Sequence, residues 1–252
     1  PIMLLIVISS SYISHSQVPG ILSRGESIAP FLRFSPDSRG LSLGGTGIAS
    51  KADAFSIHYN PAKISAIQEK YQISASSMPS LFNLVPDMNI SGLSGTYKID
   101  TFSAISISLK SMNWGQWSNT LNQSPVQLND FNFNAAYSRK LSDKLSAGIV
   151  LKYTKTTSLD SLLNKHKGFG LAGDVAIYYN DQTKIRGKEL VYAAGISLSN
   201  IGNKLSYDTS TFRRSLPENL GAGVAGYYNL NDKNNLGLLI DVNATGQGLL
   251  TN

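Results

Sequence analysis

Residues 102–110, Phe102-Ser-Ala-Ile-Ser-Ile-Ser-Leu-Lys110, decide the fold class. Read with a period of two, they place Ile105, Ile107 and Leu109 on one face and Ala104, Ser106 and Ser108 on the other. Residues 145–153 repeat the pattern, with Leu145, Ala147, Ile149, Leu151 and Tyr153 opposed to Ser146, Gly148 and Lys152. Working outward, the same alternation marks 71–78, 88–98, 131–137, 171–179, 190–199, 220–228 and 236–242, nine candidate strands in all. Most span 8 to 12 residues, the length a strand needs to cross a bilayer at about 45° of tilt. The second face carries Ser, Gly, Ala and Asn, whereas a soluble sandwich hides its apolar face and exposes charge.

The expected fold is therefore all-β, a transmembrane antiparallel outer-membrane β-barrel. Charged residues make up 15% of the 252, against roughly 25% in soluble domains. Tyr97, Tyr137, Tyr153, Tyr178, Tyr179, Tyr227 and Tyr228 stand at strand ends, where aromatic girdles meet the lipid headgroups; ordinary strand aromatics of a soluble barrel are the alternative. Leu141–Lys144 and Asn229–Asn235 read as short periplasmic reversals, and Ser111–Asn129 and Thr156–Gly168 as longer outer loops. The net charge of +6 is scattered, as in Arg139-Lys140 and Lys165-His166-Lys167, and forms no stripe for nucleic acid.

Residues 1–16, PIMLLIVISSSYISHS, read as a signal-peptide remnant with cleavage after Ser16; a buried strand or short helix is the alternative. Residues 17–70 lack strand periodicity, and their glycines and prolines punctuate short helices around 49–57 and 62–67. In a barrel such a segment belongs in the lumen as a plug, because irregular backbone at membrane depth needs protein or water around it. Residues 71–252 then supply about nine strands. Single-chain bacterial barrels have an even number, so a fragment of a larger barrel is expected.

The plug carries the candidate hatch residues Arg33, Asp37, Arg39, Gly44, Gly45, Gly47, Asp53, Asn60 and Pro61. Asn60 can cap a helix that Pro61 begins. Arg33, Asp37, Arg39, Lys51 and Asp53 could pair with wall residues such as Lys152 or Asp174, or be solvated by lumen water. Trp114 and Trp117, read as lying on the outer loop after Lys110, form a candidate partner-contact loop together with 81–88. His15, His58 and His166 have no metal-ligand spacing. The glycines of 40–47 lack the Lys-Ser/Thr ending of a phosphate loop, and no serine nucleophile stands in a catalytic setting. No catalytic residue, metal or cofactor is expected, and the protein is read as a non-enzyme.

Several stretches, in order, carry a family resemblance. APFLRFSPDSR (29–39), GGTG (44–47), SIHYNPA (56–62), NLVPDMNI (83–90), GTYK (95–98), AYSRKL (136–141), NIGNK (200–204), LPENL (216–220) and DVN (241–243) resemble the PorV family. That family comprises outer-membrane proteins of the type IX secretion system of Bacteroidota, similar in fold to FadL. The resemblance implies a 14-stranded FadL-like barrel with an N-terminal hatch. It also implies the outer membrane as location and a translocon barrel of the SprA (Sov) type as partner. The implied role is to receive cargo proteins by their C-terminal signal domains and pass them to the cell-surface attachment complex. A FadL-like transporter of hydrophobic small molecules is the alternative. A continuous apolar tunnel past the plug would favour transport, and a sealed polar interior would favour protein docking.

Overall fold

The computed structural model describes residues 23–24, 29–79, 87–117, 126–159, 165–205, 215–231 and 234–246. The expected signal remnant and most of 81–88 lie outside them. All nine expected strands are present: β2 (Tyr71–Pro79), β3 (Met88–Lys98), β4 (Ser103–Trp117), β5 (Val126–Lys140), β6 (Leu145–Leu159), β7 (Lys165–Ile185), β8 (Lys188–Gly202), β9 (Glu218–Asn231) and β10 (Asn234–Gly246). A two-residue strand, β1 (Ser23–Arg24), lies parallel to the end of β10. The sheet order is β1-β10-β9-β8-β7-β6-β5-β4-β3-β2, so from β2 to β10 every neighbour is an antiparallel hairpin partner.

Register turns the alternation of each strand into a surface. Ile105 faces Tyr137, Tyr137 faces Ile149 and Ile149 faces Val175, and opposed residues share one side of a sheet. The apolar phases therefore merge into one continuous outer band. Ile107, Ile149 and Leu151 are 59%, 56% and 65% exposed, with no second sheet against them. On the other side Ser94, Ser106, Ser108 and Ser146 are buried, and hydroxyls and amides pair across strands, as in Thr96 with Ser106 and Asn134 with Ser108.

The strands are longer than expected: β4, β5, β6 and β8 have 15 residues each and β7 has 21. Much of what reads as outer loop is strand, since Ser111–Trp117 completes β4 and Lys165–Gly168 begins β7. The apolar alternation stops where hydrocarbon stops. Backbone pairing continues past it, with polar residues such as Ser111 in the outward phase and Met112 and Trp114 packed inward. Described tight turns, at 99–102, 141–144 and 186–187, share one end of the sheet, and the strand ends that the longer connections join share the other.

Two girdle expectations are corrected. Tyr178 and Tyr227 fall in the inward phase and are buried in one cluster with Ala49, Ala62 and Ala193. Tyr97, Tyr137 and Tyr153 do lie exposed on the outer face.

Residues 29–67 occupy the polar side of the sheet. They form a 3-10 turn at Pro30–Arg33, the helices α1 (Ser38–Ser42) and α2 (Ser56–Tyr59), and a 3-10 helix at Pro61–Ala66. Their contacts measure the curvature. Pro36 and Phe55 lie where a side chain on Gly92 of β3 would stand, while Gly47 donates to Asp241 of β10. Asp37 and Gly47 both touch Tyr59. Seven strand spacings would separate β3 from β10 by about 34 Å in a flat sheet, yet one tyrosine nearly bridges them. The sheet is therefore strongly curled around the segment.

Candidate functional site

The interior is built where the wall meets this inner segment. Ala29 enters with φ of 58°, and Pro30 opens the first 3-10 turn, a position that suits its fixed φ and missing N–H. The Asp37 carboxylate accepts from the Gly40 amide at 2.9 Å and from the Tyr59 hydroxyl at 2.8 Å, capping α1 and fastening it to α2. Gly44 and Gly45 end α1 with φ of 66° and 82°, a backbone state that side chains disfavour. That turn accounts for the glycine pattern structurally. Asn60 is fully buried. Its Oδ1 accepts from the Ala62 amide at 3.0 Å, capping the helix that Pro61 begins, and its Nδ2 donates to the carbonyls of Ile48 and Ile177.

The wall answers mainly with side chains directed at the segment's backbone. Lys110 Nζ donates to the carbonyls of Leu32 and Phe34 at 3.0 and 2.8 Å. Ser138 and Ser146 both donate to the Ala62 carbonyl, and Ser94 to that of Ala54. Asp241 Oδ2 accepts from the amides of Gly47 and Ile48 at 2.7 and 3.0 Å. The Tyr227 hydroxyl accepts from the Lys51 amide at 3.2 Å, and the Lys51 amine lies over its ring. These contacts satisfy irregular backbone that lipid could not satisfy.

The charges divide otherwise than the sequence suggests. Arg39 pairs with Asp53 inside the segment. Lys152 pairs with Asp174 inside the wall at 2.6 Å, with side chains 5% and 1% exposed. Asn200 completes that wall cluster, accepting from Lys152 at 2.9 Å and donating its amide to Asp174 at 2.8 Å. No ion pair joins segment to wall among the described residues. A buried ion pair is retained only with its remaining polar atoms matched, and two charges already matched within one element leave nothing for the other.

Inside the segment, burial lowers the Lys63 amine to about 8, against the opposing pull of Asp53. Its Nζ donates to the Gly47 carbonyl and to Ser50. Burial, then Lys110 and Lys152, hold His58 well below its usual range and hence neutral. Burial and the neighbouring Asp37 push the Tyr59 phenol upward.

A polar cavity of about 90 Å³ lies between segment and wall, bordered by Arg33, His58, Lys152, Asn200 and Asp241. At roughly 30 Å³ per molecule it accommodates a few waters. At the end of the longer connections an apolar cluster, with Phe31, Leu32, Met88, Met112, Leu205 and Leu216, closes over the segment.

Trp114 corrects the loop assignment. It lies in β4, packs against that cluster beside Phe34, and its Nε1 donates to Asp130 at 2.8 Å. Trp117 is the last residue of β4. Lys110, Asp241 and the wall serines were not singled out from sequence, although their inward phase was visible there. Among the described residues, no three His, Cys, Asp or Glu side chains gather as metal ligands.

Residues 25–246 match the family model described as Type IX secretion system protein PorV. The search of curated proteins returns no match. Among solved structures the chain is similar to the CymD monoaromatic hydrocarbon channel. The two share 15% identity and a TM-score of 0.51 over 85% of this chain and 69% of that one. At that identity the likeness concerns the fold.

Proposed function

The chain belongs to the PorV family of type IX secretion system proteins, and on that premise we propose that it works as a cargo shuttle. It binds a translocon barrel of the SprA (Sov) type, receives secreted proteins by their C-terminal signal domains, and delivers them to the cell-surface attachment complex. Residues 29–67 act as a fixed plug, and the wall closes around them as a 14-stranded barrel. Its place is the outer membrane, with the apolar band toward lipid. The observation that carries the reading is the filled interior. The segment spans the curl from Gly92 of β3 to Asp241 of β10 and leaves a polar cavity of about 90 Å³.

Passage of a hydrophobic small molecule needs an apolar lumen. On the described wall, Lys110 and Asp241 present polar contacts to the segment's backbone where such a lumen would present apolar side chains. That weighs against the FadL-like transporter reading. Deletion of the gene followed by proteomics of the medium tests the proposal. Loss of many proteins bearing C-terminal secretion domains, with unchanged uptake of hydrophobic solutes, is expected. Intact secretion with impaired uptake would reverse the assignment.

A further inference from the structure

On the outer face of β7, β8 and β9, small residues interrupt the aliphatic ridge. Ala194 and Ala222 form a floor between Ile177, Tyr179, Ile196 and Val224, leaving an apolar groove of about 430 Å³. In other rows of this face, β-branched and aromatic side chains stand side by side, as with Ile105, Tyr137, Ile149 and Val175. A groove in a membrane-facing wall forfeits dispersion contacts unless something fills it.

The groove opens toward a polar cluster through a shared residue. The hydroxyl of Tyr179, which lines the groove, donates to Asp181 at 3.3 Å. Tyr192 donates to the same carboxylate at 2.9 Å, and Lys144 pairs with it at 2.7 Å. Lys144 lies in the tight turn at 141–144, and tight turns mark the periplasmic side of such barrels. An apolar trough thus ends, at the level of the inner-leaflet headgroups, on one cation, one anion and two phenols.

We propose that this is a binding site for one zwitterionic, amine-bearing phospholipid. Its acyl chain lies over Ala194 and Ala222, its phosphate meets Lys144 and the tyrosine hydroxyls, and its ammonium meets Asp181. The Lys144 side chain is 54% exposed, and an ammonium carries three N–H donors, so it can turn from Asp181 to a phosphate without desolvation of a buried charge. A lipid headgroup with phosphate and ammonium in tandem exchanges the protein ion pair for two intermolecular ones. An uncharged occupant would fill the trough without answering the charges.

The test is native mass spectrometry of the intact protein in detergent micelles, with added phosphatidylethanolamine or phosphatidylglycerol. The expected result is retention of one phosphatidylethanolamine, preferred by about fivefold, the upper scale of one solvent-exposed ion pair. Asp181→Asn, which keeps the size and removes the charge, should erase the preference. Ala222→Phe should lower retention of both lipids, while Ile105→Phe, on the outer face of β4 and three strands from β7, should change neither. Equal retention of the two lipids by the unaltered protein would overturn the proposal. So would variants that all behave alike, or a protein co-purifying on this face in place of lipid.

Discussion

Asp241 gives the residue scale its clearest case. One carboxylate oxygen on β10 accepts from two consecutive backbone amides almost two hundred positions earlier in the chain. Hydrogen bonds to a charged group contribute about 1.5–3 kcal/mol each. Asp241→Ala should therefore destabilise docking of the inner segment by at least about 2 kcal/mol, seen as faster hydrogen exchange at Gly47 and Ile48. Asp241→Asn, which keeps an acceptor, should recover part of the loss. His58 adds a pH dependence. Its folded pKa lies well below the usual 6.5 through burial and then through Lys110 and Lys152. In the window below 6.5 the unfolded chain binds the extra proton, so stability present at neutral pH is lost as pH falls. The thermal midpoint in detergent should drop between pH 7 and 5, and should drop less in His58→Gln. Lys63, lowered to about 8, works in the opposite range. Between pH 8 and its ordinary value the unfolded chain holds more protons, and stability rises with pH until the raised Tyr59 phenol opposes it.

At the scale of elements, the inner faces of the strands are shaped to receive the 3-10 helix. A Cβ on Gly148 of β6 would stand 2.5 Å from the Ala62 nitrogen and the Pro61 carbonyl carbon, which are backbone atoms that cannot turn aside. Gly148→Ala should displace the 3-10 helix and expose residues 49–62 to protease. Gly226→Ala, which meets nothing within 4 Å, should leave cleavage unchanged and serves as the matched control. The strands themselves were legible in the sequence because a period of two survives wherever one face meets hydrocarbon, as at 102–110. Their full length was not: the outward phase is polar at Ser111 and Thr157, so Ser111–Trp117 and Thr156–Leu159 read as loop, though backbone pairing continues through them. Trp114 was misplaced for that reason, and its inward packing on Phe34 follows from the phase of β4. Asn60-Pro61 was legible because capping is local. The partners of Lys110, Lys152 and Asp241 were not, since register and curl decide which distant backbone meets each side chain.

For the whole molecule, one sheet separates two environments. Hydroxyls, amides and a buried ion pair face the inner segment, and a band running from Ile105 to Val175 faces outward without a protein partner. The roles of the two faces should differ under the same substitution. Ile107→Lys should impair assembly into bilayers by about 2–4 kcal/mol, the cost of a cation near the midplane, whereas Lys110 points inward, where the carbonyls of Leu32 and Phe34 receive its amine. Nitroxide labels placed singly from position 105 to 109 in reconstituted bilayers test the central claim most directly. Oxygen accessibility should peak at 105, 107 and 109 and fall at 106 and 108. A flat profile, or peaks at the serine positions, would contradict a membrane-spanning wall.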